Sequence, residues 1–436
     1  MIDVGGFAHS RLFATALKTL AGNLVAVPDS GGLMRTVAEH LNTCLSLVAP
    51  LDPLDVLLPD AVGCVLAEDV SAPFDLPVTD QATLDGYAVR SQDVGGAGKM
   101  RQVYLDVIAE VKAGDAEPCT LVENSAVRIA SGAPLPVGAD TVVPLEETDQ
   151  APARVQILSA PTKGKNILRR GQDVSAGTPI LRAGSRIGSR QVALLAGVGR
   201  LRVTVRPRPR VVILSIGDEL IEPGKPVRAG AVFDANGHAL SSAVADARAD
   251  TFRVAAVPDE QKALSETIED QLVRADIIIT TGGLSYGSAD TVKEVLAPLG
   301  TARFDNVAMT PGKQLGYGTV GEGTPIFCLP GNPVAAQISY EIFVRPCLRH
   351  MAGWEELYRP SLRARVDRGW RSPAGRRQFV PVKIVGAPDS GYRARLTGEP
   401  EDLLLSTMAR ANALAVIPEA VTSVSEGDYF HCMVLD

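Results

Sequence analysis

Residues 277–290 read Ile277-Ile278-Ile279-Thr280-Thr281-Gly282-Gly283-Leu284-Ser285-Tyr286-Gly287-Ser288-Ala289-Asp290. The run Ile277 to Thr280 suits a strand buried on both faces, which needs no polar alternation. It empties into glycines, and a helical pattern over 291–299 follows at once. An earlier run, Val211-Val212-Ile213-Leu214-Ser215-Ile216, closes on Gly217 in the same way. Between the two lie a helical stretch at 238–249, a strand-like 253–257 and a helix at 260–274. After them come the strand Ile326-Phe327-Cys328-Leu329 and a long helix from Pro333. Strands and helices in this alternation predict an α/β unit with a parallel, doubly wound sheet. Ligands of such sheets bind beyond the carboxyl ends of the strands, where the glycines fall.

Outward from this unit the texture changes. Apolar residues Val37, Leu41, Cys44, Leu45 and Val48 recur at helical spacing, and Pro50 and Pro53 end that helix. A second short helix is expected at 60–69. Residues 76–165 alternate short strand-like runs with Gly and Pro turns, as a small β-rich domain would. Beyond Tyr358 the chain returns to short strands. The expected division is an N-terminal extension at 1–33, expected to be disordered or an over-long gene start; a helical and β linker domain from 34–75 with 166–206; a β-rich domain at 76–165; the α/β domain at 207–357; and a β domain at 358–436.

Composition excludes several function classes. The chain has 436 residues, 46% of them hydrophobic, and a formal net charge of -7. That charge argues against a general grip on nucleic acid, which needs surplus clustered Lys and Arg. The basic runs at 200–210 and 363–377 read as solvated strand edges and linkers. Cys44, Cys64, Cys119, Cys328, Cys347 and Cys432 are scattered, with no Cys-x-x-Cys pair. The expectation is a reducing, cytoplasmic setting. No apolar run approaches the roughly 20 residues of a membrane span, and Arg11 and Lys18 interrupt any secretory pattern.

Four segments carry chemistry. The glycines Gly282, Gly283 and Gly287, with Ser285, let backbone N–H groups approach a phosphate at a helix start. The same stretch also reads as a plain tight turn capped by Ser288 or Asp290. It is not a Walker loop, because no Gly-Lys-Ser or Gly-Lys-Thr follows. Asp218 and Glu219 stand just past the 211–216 strand, and with Asp259 and Asp290 they could gather acidic oxygens near the glycines. Carboxylates beside a phosphate repel it unless a cation intervenes, so Mg²⁺ is the natural inference, and the same acids also read as solvent-facing residues that favour a helix start. Lys313 in Pro311-Gly312-Lys313-Gln314 offers a point charge for phosphate. Pro330 and Asn332 belong to Leu329-Pro330-Gly331-Asn332-Pro333, a rigid turn delivering Pro333 to the first position of a helix.

The order of these segments resembles the molybdopterin molybdenumtransferase family, that of bacterial MoeA and the E domain of gephyrin. Leu84-Asp85-Gly86-Tyr87-Ala88-Val89, Ser131 to Val143, Asn166 to Gly177 and Phe233-Asp234-Ala235-Asn236 are similar to further motifs of that family. The resemblance runs from about residue 34 to the end. It implies a MoaB- and MogA-like large domain within an elongated homodimer that inserts molybdate into adenylated molybdopterin with Mg²⁺ and releases AMP. The cleft would lie between the large domain of one subunit and small domains of its partner. The acidic positions carried over are Asp85, Asp173, Glu219, Asp259 and Asp290, and Ser131 keeps the hydroxyl of a family threonine.

The oxyanion side departs from the pattern. Asn306 and Thr310 stand where the family has lysines, and Gln314 follows Pro311-Gly312-Lys313. Pro381 aligns with an arginine and Asp402 with an anion-binding serine. Molybdate is a dianion, and each lost cation removes a contact worth about 1.5–3 kcal/mol. The resemblance therefore carries two readings. One is a molybdenumtransferase with a degenerate oxyanion site. The other is a gephyrin-like dimeric scaffold that binds a linear peptide of a partner, such as the cell-division protein FtsZ or a membrane receptor, with no insertion into the membrane itself.

Overall fold

The computed structural model describes residues 34–98, 100–115, 119–284, 291–299 and 302–435. The expected N-terminal extension lies outside them. The chain divides into two compact units: Asp55–Val62 with Glu68–Thr204, and the remainder. Within the described residues no helix is long and apolar enough to cross a membrane.

The larger unit begins with α1 (Val37–Ser46). Thr36 and Glu39 form a reciprocal capping box at its start, and Val37, Leu41 and Cys44 line its buried face.

The smaller unit is built on a five-stranded sheet of β1 (Gly86–Val89), β2 (Val103–Val111), β3 (Ser125–Ile129), β4 (Thr141–Pro144) and β5 (Arg154–Ile157). Their order is β4-β1-β3-β2-β5, with β2 and β3 parallel and the other pairs antiparallel. All four residues of β1 are buried because each face of the sheet has its own core. Ala88, Val127 and Val142 pack on one side, and Tyr87, Ala126 and Val143 on the other. Leu58–Ala61 is a single helical turn, shorter than the helix expected at 60–69. In the larger unit Gly63 follows at φ +87, and Val65 and Leu66 pair as a strand with Arg206 and Val205. The correction has a local cause: a left-handed glycine ends the turn.

The larger unit continues with β6 (Arg210–Ser215), α2 (Ala235–Asp246), β7 (Asp250–Arg253), α3 (Gln261–Leu272), β8 (Ile277–Thr281) and α4 (Thr291–Leu299). Next come β9 (Arg303–Asn306), β10 (Met309–Thr310), β11 (Gln314–Val320), β12 (Thr324–Leu329), α5 (Pro333–Ser339) and α6 (Arg345–Met351). The main sheet runs β7-β6-β8-β12-β11-β9. Its first four strands are parallel, as the alternation predicts, and β11 and β9 extend it antiparallel. Val211, Ile213 and Ile279 face one core, and Val212, Leu214 and Ile278 the other. This is the two-sided burial that the unbroken apolar runs require. The expected long helix from Pro333 is interrupted by a π-helical stretch, Tyr340–Val344. Pro346 sits at the start of α6 and has no N–H to donate to the preceding turn, which accounts for the irregularity.

The chain then forms β13 (Ser361–Val366), β14 (Arg377–Ala387), β15 (Gly391–Leu396), β16 (Ala413–Ile417) and β17 (Tyr429–Val434). They pair in the order β14-β15-β13-β17-β16, and β16 pairs back on β14, which closes a five-stranded barrel. β10 adds to the outside of β14 in parallel. The architecture is thus an α/β large domain with additional small β domains.

Candidate functional site

Three parallel strands of the larger unit end side by side, and their exits are tied together through the backbone. The Ile216 N–H donates to the Thr281 carbonyl at 2.9 Å, and the Gly282 N–H to that of Leu329 at 3.3 Å. Gly217 N–H reaches the Val257 carbonyl at 3.1 Å. The exits of β6, β8 and β12 therefore form one surface at the carboxyl edge of the sheet, where ligands of open α/β sheets bind.

Glycine is required here by space and by backbone angle. Gly282 has φ +89, and a Cβ at that position would run into the Ile216 carbonyl oxygen. Gly283 has φ +64, and its Cβ would come within 2.6 Å of Val292 Cγ2. Gly331 packs against the Gly282 Cα, so the loops after β8 and β12 lie back to back. Ser285, Gly287 and Asp290, the rest of the predicted loop, lie outside the described residues.

Side chains named in the sequence motifs but assigned no site role there hold these loops in place. Asn236, in the first turn of α2, donates from Nδ2 to Thr281 Oγ1 and to the Gly331 carbonyl, both at 2.8 Å. Thr281 Oγ1 in turn donates to the Pro330 carbonyl at 2.9 Å. One amide and one hydroxyl thus clamp the exits of β8 and β12. Asn236 is itself placed by Asp234, a buried residue that caps α2 by accepting from the Gly237 N–H at 2.8 Å. Asp234 also accepts from Ser215 Oγ at 2.9 Å and from Arg253 at 3.2 Å. Arg253 makes a two-pronged pair with Glu222 at 2.7 and 2.8 Å. Those hydrogen bonds hold the Glu222 carboxyl below its usual range, against the opposing effect of burial. The sequence signal was an Asp followed by Asn-Gly at a helix start, a capping pattern.

The predicted acidic residues separate by unit. Glu219 is exposed after β6, and its carboxylate folds back beside Gly217, where a Cβ would lie 2.6 Å from Glu219 Oε2. Asp218 is used structurally, its Oδ1 accepting from the Asp259 N–H at 3.1 Å. Asp259 Oδ1 is buried with no hydrogen-bond partner among the described residues, the kind of oxygen that a hard cation takes. Among the described residues no group of three His, Cys, Asp or Glu stands ready to hold a metal, and Asp290 falls outside them. A cleft of about 850 Å³ between α3 and α4 is lined by Asp259, Glu260, Glu266, Glu269 and Glu294 against Lys262. So acidic a lining admits a phosphate only with a cation beside it.

In the smaller unit Asp85 and Ser131 are brought together: Asp85 Oδ1 accepts from the Ser131 N–H at 2.7 Å, and Ser131 Oγ donates to the Thr83 carbonyl at 3.2 Å. Asp173 is exposed and makes no side-chain hydrogen bond among the described residues. The loop before it is ordered by Arg169 on Asp80 and Arg170 on Asp75, each at 2.6 Å.

The remaining predicted residues lie in the larger unit. Asn332 caps α5, its Oδ1 accepting from Val334 and Ala335 N–H at 3.0 and 3.1 Å. Pro330 offers its carbonyl to Thr281. Lys313 is half-buried, and its ammonium has no partner among the described residues. Around it, Asn306 pairs with Gln314 across β9 and β11, and Thr310 with Gln378 across β10 and β14. Arg377, buried and paired in register with Met309, is engaged by Glu419 at 3.0 Å. Pro381 lies within β14 and Asp402 is exposed.

An open α/β sheet with glycine-bearing strand exits defines the class of doubly wound folds whose ligands bind at the carboxyl edge of the sheet. Comparison with known proteins sharpens this. Residues 35–199 match the family described as "MoeA N-terminal region (domain I and II)", 212–350 "Probable molybdopterin binding domain", and 363–435 "MoeA C-terminal region (domain IV)". The chain is 39% identical over 400 residues to molybdopterin molybdenumtransferase 2 of Mycobacterium tuberculosis, covering 90% of this chain and 98% of that protein. It is 37% identical to molybdopterin molybdenumtransferase 1 of the same organism, over 91% and 97%. Its fold matches the crystal structure of a molybdopterin biosynthesis MoeA protein from Pyrococcus horikoshii with a TM-score of 0.74 at 27% identity, over 92% and 100%. The chain belongs to the molybdopterin molybdenumtransferase family.

Proposed function

We propose that this chain inserts molybdate into adenylated molybdopterin in a Mg²⁺-dependent reaction that releases AMP, acting as a homodimer in molybdenum cofactor biosynthesis. The observation that carries the reading is the clamped pair of loops at Gly282–Gly283 and Pro330–Asn332, on a chain 39% identical to a molybdenumtransferase. In this reading the backbone N–H groups of Gly283, Ser285 and Gly287 bind the phosphate, while the Gly282 N–H stays on the Leu329 carbonyl and fixes the loop, and Lys313 supplies a mobile positive charge. Glu219, Asp259 and Asp290 hold Mg²⁺, whose charge offsets that of the phosphate. The orphaned Asp259 oxygen supports this assignment. Asp85 and Ser131 would reach in from the partner subunit of the dimer as a second polar pair, and Asp173 is a further acid of the same unit.

The proposal includes a weakened oxyanion site. Asn306, Thr310 and Gln314 are neutral, Pro381 offers no charge, Asp402 is an acid, and Arg377 is occupied by Glu419. Slow turnover follows, because molybdate meets few cations. AMP release from adenylated molybdopterin, measured with and without molybdate, tests the reading. Molybdate-dependent AMP above background is expected, and it rises when Asn306→Lys and Thr310→Lys are introduced together. Bound substrate with no AMP in either protein overturns it and favours a scaffold.

A further inference from the structure

The closed barrel of residues 361–434 separates its side chains cleanly. Ala364, Val366, Val382, Ala394 and Cys432 fill the interior. The alternate positions point outward, and strand register collects their charges on one patch. Lys383 on β14 stands opposite Arg395 on β15, and Arg365 on β13 stands opposite both Arg393 on β15 and Tyr429 on β17. Arg363 is opposite His431. All of these residues are exposed. With strands about 4.8 Å apart and same-face residues about 7 Å apart, the patch spans about 14 Å across four strands.

The charges in this patch are poorly balanced. Arg393 and Arg395 share a single carboxylate, Asp367, at 2.8 and 3.2 Å, and Glu426 lies near Arg393. Arg363, Arg365 and Lys383 have no acidic partner among the described residues. Arg363 lies over the Tyr429 ring, 5.7 Å from its centroid, and Tyr429 is 55% exposed. His431 is pushed below its ordinary pKa by burial and then by the charge of Arg363. Like charges directly opposite one another on a sheet destabilise it, and the pairs Lys383–Arg395 and Arg365–Arg393 are both of this kind. The fold gains nothing from that arrangement. It is also set against the chain as a whole, whose net charge is -7.

We propose that this outer barrel face is a docking surface for a short, extended acidic peptide segment of a partner protein. Charge complementarity names the chemistry, and dimensions name the length: a strand-like segment advances about 3.3 Å per residue, so four or five residues span the patch. A long polyanion fits less well. Nucleic-acid interfaces bury roughly 1,000 Å² or more of protein, and the rest of this acidic chain would repel a duplex that ran beyond the patch. The exposed Tyr429 ring under Arg363 adds an apolar anchor beside the charges. This proposal is independent of the transferase reading.

Fluorescence anisotropy of the full chain with a fluorescein-labelled Glu-Asp-Glu-Asp-Glu peptide tests it. Saturable binding is expected, weakened by added salt. Arg363→Glu with Arg365→Glu reduces affinity at least tenfold, and the single exposed change Lys383→Glu reduces it severalfold with an unchanged thermal melt. Arg363→Lys with Arg365→Lys retains binding. The proposal is overturned if the peptide does not bind, if it binds the reversed-charge variants equally well, or if a single-stranded oligonucleotide or vesicles containing phosphatidylserine bind this face more tightly.

Discussion

Replacing Gly282 with alanine should damage the substrate loop and the fold together, by amounts that can be worked out from the strand exits. Gly282 sits at φ +89, in the left-handed region, where a side chain costs about 1–2 kcal/mol. Its new Cβ meets the Ile216 carbonyl oxygen, so the ends of β6 and β8 must separate. The Ile216 N–H to Thr281 carbonyl bond at 2.9 Å is then lost, at about 1 kcal/mol net. The total is about 2–3 kcal/mol. For a unit of this size each kcal/mol moves the melting temperature by about 2–4 °C, so a fall of about 4–12 °C is expected. Calorimetric melting reads the stability loss. AMP release, measured well below the melting temperature, should fall further than the folded fraction does, because the neighbouring Gly283 N–H, aimed at the phosphate, has moved. A Gly282→Ala chain with unchanged melting and unchanged AMP release would refute both the steric argument and the role given to this loop.

Three further outcomes follow from the same geometry. Asn236→Ala removes the clamp on Thr281 and Gly331 and should cost about 1–3 kcal/mol, with KM for adenylated molybdopterin rising more than kcat falls; steady-state kinetics with a urea melt checks it. Asp234→Ala deletes a helix cap and the acceptor of the Ser215 hydroxyl while Arg253 keeps Glu222, so a loss of about 1–3 kcal/mol is expected by denaturant unfolding. His40 is carried down from 6.5 to about 4, by burial first and with the Arg35 charge adding to it, while Asp305 opposes. The unfolded chain therefore takes up a proton near pH 6.5 that the folded chain refuses until about pH 4. Stability is full above 6.5, falls as pH drops through that window by about 3 kcal/mol, and levels off below it. In His40→Phe this part of the pH dependence should vanish from the melting curves.

The fold was most legible where burial alone decides the pattern. Val211 to Ile216 and Ile277 to Thr280 announce themselves because both faces of β6 and β8 are covered, so no polar residue interrupts them. α1 was visible from the helical spacing of Val37, Leu41, Cys44, Leu45 and Val48. β11 was not, because Gly316 and Gly318 erase the strand pattern. Gly316 is there for packing: a Cβ would come within 2.5 Å of the Phe304 ring and 2.8 Å of Cys328. The start of α2 was placed late, since Asn236 and Gly237 are weak helix formers and the element is held by the Asp234 cap instead. The same turn explains what was missed at the site. Glycines and acids draw attention as groups that touch a ligand, whereas Asn236, Thr281 and Asp234 act by holding loop backbones at a distance in sequence that no local pattern reveals.

The central claim is that the exits of β6, β8 and β12 hold the adenylated pterin. The most direct measurement is a crystal soaked with adenylated molybdopterin, Mg²⁺ and molybdate. Phosphate density against the Gly283 N–H within reach of Lys313, with a cation on Asp259 and Glu219, is the predicted result. Ligand density elsewhere, with these strand exits vacant, would contradict it.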